Sequence, residues 1–558
     1  MKKIVLIVFA VLAAANGEAQ SIYDAVNIAS KDLDGTARFV GMGGAMGALG
    51  GDISTIGTNP AGIGIYRSND VMGTFGYSLT GTESNYVGNK FEMNKGRWNL
   101  DNLGFVVSTK VGNETALRFV NFGFNYHKTK SFYKNMTMEG LMGEFEVHEG
   151  KGDWTPVSQT RYMAQQATNN QSYVYSPGAK PIDFGASNIF DDPDAGWLGA
   201  LGYQGWLMNE MGQDPYYYTP IIPSEAYGYF LSRESGGIDQ YDFNIAFNIR
   251  DRFYFGFTIG AYNVDYNKYS VYDESYDNNE GYALESFNRI HGGGFDVKFG
   301  AILRPFEESP FRIGLAIHTP TFYKLTYTTG ALLTSDVLMK NHETGQETME
   351  RHIVDTYQAL DGRDMDRDFD LQTPWVFNAS LGYTVGNYLA LGAEYEYEDY
   401  SSMKFKYREG DMMWEETNQV KGNLKGVHTL RLGAEWKPVS AFALRAGYNF
   451  STAAFKEEAI KAYPDNSINT DTDFANSQTM NTFTLGIGYR WKMLYADLAY
   501  KFHTYKSDFY PFYNQFSADA SKDYMLTEGE TNLPAITPPP TKVTNTRSQV
   551  LLTLGVRF

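Results

Sequence analysis

The last nine residues, Val550-Leu551-Leu552-Thr553-Leu554-Gly555-Val556-Arg557-Phe558, alternate without a break, and this alternation narrows the possible folds more than any other feature. One face reads Val550, Leu552, Leu554, Val556 and Phe558; the other reads Leu551, Thr553, Gly555 and Arg557. Successive side chains of a strand point to opposite faces, so the segment has one apolar face and one small, polar face. The pattern recurs upstream. Phe483, Leu485, Ile487, Tyr489 and Trp491 alternate with Thr484, Gly486, Gly488 and Arg490, and Leu494, Ala496, Leu498, Tyr500 and Phe502 with Tyr495, Asp497, Ala499 and Lys501. Comparable runs begin at Tyr241, Trp375, His428 and Phe442. A soluble β-sandwich also alternates. Here, however, the second face carries Arg, Lys, Asp and Glu beside Gly, and the apolar face ends in Tyr or Trp. Lipid outside, a polar interior and aromatic girdles at two membrane surfaces account for both features.

Counting such runs places strands near 71–86, 102–111, 117–133, 238–250, 252–270, 284–304, 311–329, 370–385, 388–408, 425–437, 441–455, 479–491, 494–510 and 546–558. That makes about fourteen, an even number, as a closed antiparallel transmembrane β-barrel requires. Tight turns are expected at Gly112-Asn113, Asp251, Phe306 to Ser309, Gly386-Asn387, Pro438-Val439 and Lys492-Met493. The connections between them are long, the longest at 134–236, so short and long connections are expected to alternate strictly around the barrel.

The N-terminus carries an export signal. Lys2 and Lys3 precede an apolar run from Ile4 to Ala15, and Gly17-Glu18-Ala19 offers small residues before Gln20. Residues 1–19 therefore read as a cleaved signal peptide, and the apolar run is too short to cross a bilayer as a helix. With no cysteine in the chain, lipoprotein attachment, disulfides and thiolate metal sites are excluded. A mean hydropathy of −0.38 with 41 Tyr, 37 Phe and 56 Gly suits strands shared between lipid and a polar lumen. The net charge of −18 argues against nucleic-acid binding and fits acidic, solvated loops.

Residues 20–70 do not alternate and are rich in glycine. A barrel of this size encloses a lumen that must be filled or leak. This segment is therefore expected to fold inside as a hatch, with 71–558 as the barrel. Gly41-Met42-Gly43-Gly44 looks briefly like a dinucleotide loop, but the preceding buried strand and βαβ context are missing. Gly41, Gly43 and Gly44 instead suit close backbone packing within a lumen. Asn59-Pro60-Ala61-Gly62 alone reads as a turn. Together with Ala37 to Ala45 and Asp52 to Ile56, and with the strand count and terminal Phe558, it resembles the hatch of the FadL/TodX family of outer-membrane transport proteins.

The resemblance implies passive uptake of hydrophobic small molecules (long-chain fatty acids or aromatic hydrocarbons) with no cofactor and no enzymatic activity. It also implies a hatch gated through Asn59, Pro60, Ala61 and Gly62 and a lateral opening at a kinked third strand. The alternation within Leu117 to Tyr133 slips by one residue between Phe119 and Val120, as a bulge would produce, leaving Asn121 or Gly123 to face such an opening. Expected surroundings are outer-membrane lipids, lipopolysaccharide and the barrel-insertion machinery of a Gram-negative bacterium, with the chain a monomer. Inward Arg431, Arg445, Arg490 and Lys501 are candidates to receive a carboxylate, although acids such as Glu435 and Asp497 are equally placed to neutralise them.

Other chemistries are weaker. The eight histidines show no HxxxH or HExxH spacing for zinc or haem, and no nucleophile elbow is present. Asp364, Asp366, Asp368 and Asp370 alternate as a cation-binding face would, without the EF-hand glycine. The alternative reading from a different class is a barrel scaffold whose large external loop, with Tyr216-Tyr217-Tyr218, binds haem or a host surface. A transporter should show an apolar pocket under the external loops connected to a lateral gap. A scaffold should show a sealed barrel.

Overall fold

The structure, a computed structural model, describes residues 20–146, 152, 154–173, 181–211, 217–340, 344–513 and 537–558. The export signal, Tyr216, His148 and His342 lie outside these residues. Nineteen hydrogen-bonded segments form one closed sheet that reads as fourteen antiparallel staves and one external hairpin strand, Glu347–Asp355. The staves are β1 (Asp70–Tyr86), β2 (Asn89–Lys110), β3 (Leu117–Ser131, continued by Lys134–Leu141), β4 (Tyr227–Ile249), β5 (Phe253–Ser275), β6 (Gly281–Leu303) and β7 (Arg312–His318, continued by Phe322–Lys340). They continue with β8 (Met365–Gln372 and Val376–Val385), β9 (Leu389–Asp399 and Lys404–Lys406), β10 (Gly426–Val439), β11 (Phe442–Ser451), β12 (Phe474–Trp491), β13 (Leu494–Tyr510) and β14 (Thr541–Arg557). The barrel closes where β1 pairs with β14, from Asp70 opposite Arg557 to Asn85 opposite Lys542. Asn69 and Phe558 exchange backbone hydrogen bonds of 2.8 and 3.0 Å beyond it.

The two faces follow the alternation. Leu551 and Thr553 are buried, whereas Leu554 is 53% and Ile487 47% exposed to what must be lipid. Trp436, Tyr489, Trp491 and Tyr388 ring one end of the apolar belt, and Trp98, Tyr77, Tyr500 and Trp375 ring the other. On β8 the belt runs from Trp375 to Tyr383, about 25 Å of strand at ~3.3 Å per residue.

Where the sequence reading fails, it fails outside the belt. β1 and β2 are joined by a two-residue turn, Val87-Gly88, with both φ angles positive (47° and 95°), where a long connection was expected. The connection from β5 to β6 is likewise short, so the strict alternation of short and long does not hold. These strands climb past the membrane, where neither face meets lipid, so the apolar alternation that marks a strand is lost. β4, β5 and β6 have 23 residues each, about twice what a bilayer crossing needs. The large loop is correspondingly shorter: Lys134–Leu141 is strand and pairs with 227–234 of β4. The periplasmic turn after β10 falls at Ser440-Ala441, two residues beyond the expected Pro438-Val439.

The remaining external segments fold into a cap with its own core. The cap is built around helices at Gln159–Tyr173 and Trp197–Gln204, and Trp197, Phe184, Phe190, Phe230 and Phe512 are fully buried. Tyr218 is buried too, which removes it from any exposed aromatic patch. The lipid face supplies the first test. Leu552→Arg puts a charge in the apolar belt and should lower stability by about 2–4 kcal/mol in urea titrations of vesicle-inserted protein. Thr544→Arg, beyond the belt on the same strand, should cost far less.

Candidate functional site

The lumen is filled by the chain that precedes β1. α1 (Ile22–Ala29) starts at a capping box, in which Ser21 caps the helix and the Asp24 carboxylate accepts from the Ser21 backbone N–H. Ile22, Ala25 and Ile28 belong to the same buried cluster as the external cap, so the outer end of the hatch is fastened there. α2 (Ala37–Gly41) is capped by Thr36, whose hydroxyl donates to Asp52 at 2.8 Å. Two 3-10 turns follow, Ile53–Gly57 and Pro60–Ile65, and Asn59 caps the second by accepting from the Ala61 N–H at 3.2 Å. The hatch therefore spans residues 20–69, because Asp70 already belongs to β1.

Glycines let the hatch lie flat on the wall. A Cβ built on Gly43, whose φ is +62°, would sit 2.8 Å from the Tyr448 backbone nitrogen and 2.9 Å from the Leu432 carbonyl oxygen. The wall supplies glycine in return. Cβ atoms on Gly256 and Gly300 would lie 2.2 Å from Pro60 C and 2.1 Å from Asn59 Oδ1. Asn59 Nδ2 also donates to the Ala301 carbonyl at 3.2 Å. The Asn59-Pro60 turn is thus seated on the inner surface of β5, β6 and β7.

Ion pairs complete the attachment and decide the fate of the expected carboxylate receptors. Arg445 contacts Glu435 at 2.7 Å and also pairs with Asp497, and Arg38 of α2 shares Glu435 at 3.0 Å. Arg431 pairs with Glu394 at 2.7 Å and Glu396 at 2.6 Å. Lys501 donates to the Leu33 carbonyl and meets Asp34 at 3.2 Å. Arg490 is exposed at the periplasmic turn, its Nε donating to the Lys492 carbonyl. Arg431, Arg445 and Lys501 are paired within the chain, as buried charge in a low-dielectric interior must be, whereas Arg490 is exposed beside the small hollow that Arg445 also lines. Burial would raise the Asp32 carboxyl, but Lys130 and Arg547 beside it hold it below the usual carboxylate range. The acidic run is also engaged: Asp366 accepts from Thr328, Asp368 from Thr326, and Asp370 pairs with Arg408.

β3 carries a bulge between Leu117 and Phe119, just ahead of the slip expected between Phe119 and Val120, and a second between Lys128 and Lys130. Its ladders to β2 and β4 nevertheless run unbroken past Asn121 and Gly123. Asn121 Nδ2 donates to the Ile63 carbonyl at 2.7 Å and the Tyr66 carbonyl at 3.1 Å, and Ile56 lies against Gly123. The wall is closed there and covered by the hatch.

Two hollows remain. The first, about 400 Å³, lies in the lumen between cap and hatch. Its lining is heavily charged, with Asp24, Asp32, Lys31, Lys268, Glu396, Glu398 and Arg547 among apolar residues, in place of the purely apolar pocket expected. The second, about 690 Å³, is an apolar groove on the lipid face between Phe255, Phe299, Leu315, Ile317, Phe377 and Tyr395. It backs onto the wall where Asn59-Pro60 is seated.

Above this groove the wall is weak, a feature that sequence reading passed over. β7 pairs with β8 from His318 opposite Val376 downward and from Phe322 opposite Gln372 upward. The register is the same on both sides, so Pro320 stands opposite Pro374 and neither has an N–H to donate. The inward face changes parity on both strands: His318 and Val376 are buried below the break, Tyr323 and Leu371 above it. At the same level β9 leaves the ladder in a 3-10 turn, Tyr400–Ser402. The signal was available, because proline within a strand marks an edge or a bulge.

The class is then a fourteen-stranded transmembrane β-barrel closed by its own N-terminal hatch. No family model and no curated protein matches the sequence. Among solved structures, the chain is similar to a Pseudomonas aeruginosa FadL homologue (14% identity, 94% of this chain and 99% of that one, TM-score 0.49). It is similar also to the P. putida toluene transporter TodX (11%, 94% and 99%, 0.45) and to the CymD monoaromatic hydrocarbon channel (10%, 95% and 99%, 0.43). At such identities and scores the likeness carries no argument about function. Among the described residues no cluster of His, Asp or Glu is placed to hold a metal ion.

Two substitutions test how the hatch is held. Gly256→Val should push Pro60 off the wall and speed hydrogen exchange at the Gly62 and Tyr66 amides, whereas Gly422→Ala, with no atom near its added Cβ, should not. Glu435→Leu removes the carboxylate of Arg38 and leaves Arg445 only Asp497, and should cost about 3–5 kcal/mol of stability in urea titration.

Proposed function

We propose that this protein is an outer-membrane channel for passive uptake of hydrophobic compounds such as long-chain fatty acids, with the N-terminal hatch as its gate. The observation that carries the reading is the pairing of a lumen cavity beneath the external cap with an apolar groove on the lipid face, separated by the wall on which Asn59-Pro60 is seated. A hydrophobic solute has little to gain from an aqueous pore. It gains from a route that holds it under a cap and returns it to an apolar phase. The charged lining of the cavity favours an amphiphile with a polar head over a bare hydrocarbon. Export through the signal at residues 1–19 would deliver the chain to the outer membrane, with the cap on the external side and the short turns in the periplasm.

Gating is assigned to the hatch because its hold on the wall is divisible. Asn59 and Pro60 contact glycines through a few polar atoms, whereas α1 is fixed in the cap. A ligand entering the cavity meets Lys31, Asp32 and Asp34, which lead directly into α2. The test is uptake of labelled long-chain fatty acid by cells producing either the intact protein or Asn59→Ala/Pro60→Ala. Both must first show equal heat-modifiable gel mobility. Uptake above the empty-vector level for the intact protein, falling to that level in the variant, is expected; no uptake by the folded intact protein would overturn the reading.

A further inference from the structure

We propose that solute leaves the lumen sideways between β7 and β8 at the Pro320–Pro374 break, its alkyl chain entering the apolar groove of the lipid face. This places the exit about four staves from the β3 site suggested by family resemblance, and it rests on the uptake reading above.

Three observations converge. First, the ladder is missing where it would have to part. Pro320 and Pro374 face one another without donors, and the two strands are joined across the break only through Thr321 and Thr373. The Thr321 N–H donates to Thr373 Oγ1 at 2.8 Å and the Thr373 N–H to the Thr321 carbonyl at 3.1 Å. On the β9 side the ladder stops at Glu398 opposite Val376 and resumes at Lys404 opposite Gln372, so at Pro374 β8 has no ladder partner on either edge. Parting intact staves would sacrifice a run of backbone hydrogen bonds in lipid, where nothing replaces them. Here few remain to be lost.

Second, the two hollows meet back to back at this level. His318, Glu398 and Tyr400 line the lumen cavity, while Ile317, Phe377 and Tyr397, on the opposite face of the same strands, line the groove. Only one strand layer separates them. At the β3 site, by contrast, the inner surface is occupied by the hatch.

Third, the inner side of the break suits the head of a single-chain carboxylate. Lys31 lines the cavity, is exposed to it and makes no ion pair among the described residues, unlike the arginines and Lys501. It shares the cavity with His318, Glu396 and Glu398. A carboxylate held in this cavity shares it with His318, Glu398 and Tyr400 beside the break, and the groove beyond is apolar.

The chain has no cysteine, so a pair can be introduced without background. Thr321→Cys/Thr373→Cys would lock β7 to β8. Phe122→Cys/Ile245→Cys, opposite one another on β3 and β4, would lock the other wall as a control. Each full-length protein is inserted into phosphatidylcholine vesicles carrying a diazirine analogue of palmitic acid and illuminated. Labelled peptides are then mapped with the bond oxidised and reduced. In reduced protein, label is expected both on groove residues and on the lumen peptide around Tyr400. Oxidising the β7–β8 pair should abolish lumen label and leave groove label, and oxidising the β3–β4 pair should change neither. Lumen label that persists with the β7–β8 bond formed, that is lost equally with the β3–β4 bond, or that appears in no form would overturn the proposal. If cells take up no fatty acid while the lumen is labelled through β7–β8, the uptake reading falls and the portal stands.

Discussion

A chain of buried charges, Arg38 to Glu435 to Arg445 to Asp497, sets the terms for everything inside this barrel. A barrel of fourteen strands is too wide for its own side chains to fill, and an unpaired charge in the space left over would be expensive. The chain meets both constraints with one device. The hatch supplies volume, and its arginine and carboxylates complete the inward charges of β10 to β14. Lys501 with Asp34 and Arg547 with Asp32 repeat the arrangement nearer the cap. Removing the hatch would therefore expose charges, not merely open a hole, which ties the fold of the barrel to the presence of its plug.

The same arrangement explains why the hatch is held unevenly. Its outer helix is fixed by apolar burial in the cap and its middle by ion pairs. The Asn59-Pro60 turn lies on a strip of wall glycines, with hydrogen bonds to the Ala301 carbonyl and from Asn244. Unlike the ion-paired middle of the hatch, this turn is held by neutral hydrogen bonds and close glycine packing, so shifting it strands no charge. The proline break of β7 and β8 lies just above the same strip. A movable turn, a weak seam and an apolar groove on one side of the barrel form the physical basis for reading it as a route and not a sealed scaffold.

Much of this was legible in the sequence. Period two in the belt gave every stave, because lipid on one face and water or charge on the other leave no freedom of register. Gly41, Gly43 and Gly44 suit close packing, and Gly41 and Gly43 lie against wall backbone; Asn59-Pro60, legible as a turn, opens a 3-10 turn seated on the wall. The inward cations were harder. Arg431, Arg445 and Lys501 were visible as inward, but whether each faced a ligand or a carboxylate depended on partners tens to hundreds of residues away, such as Glu394 and Asp34. An irregularity in β3 is legible and a bulge is present two residues earlier than the alternation indicates, whereas the break at Pro320 and Pro374 depends on two prolines meeting across a strand pair, which neither strand's pattern shows.

The sequence by itself determined the export signal as an expectation, the number and polarity of the staves and the segment available to fill them, since each depends on neighbours one or two residues apart. Only the tertiary structure decided how far the strands climb beyond the membrane, which charges are neutralised and where the wall is thin. Those outcomes depend on what stands opposite in a closed sheet: Pro320 facing Pro374, Gly300 facing Asn59. Local pattern fixes which face a residue takes, and closure alone fixes what it meets there.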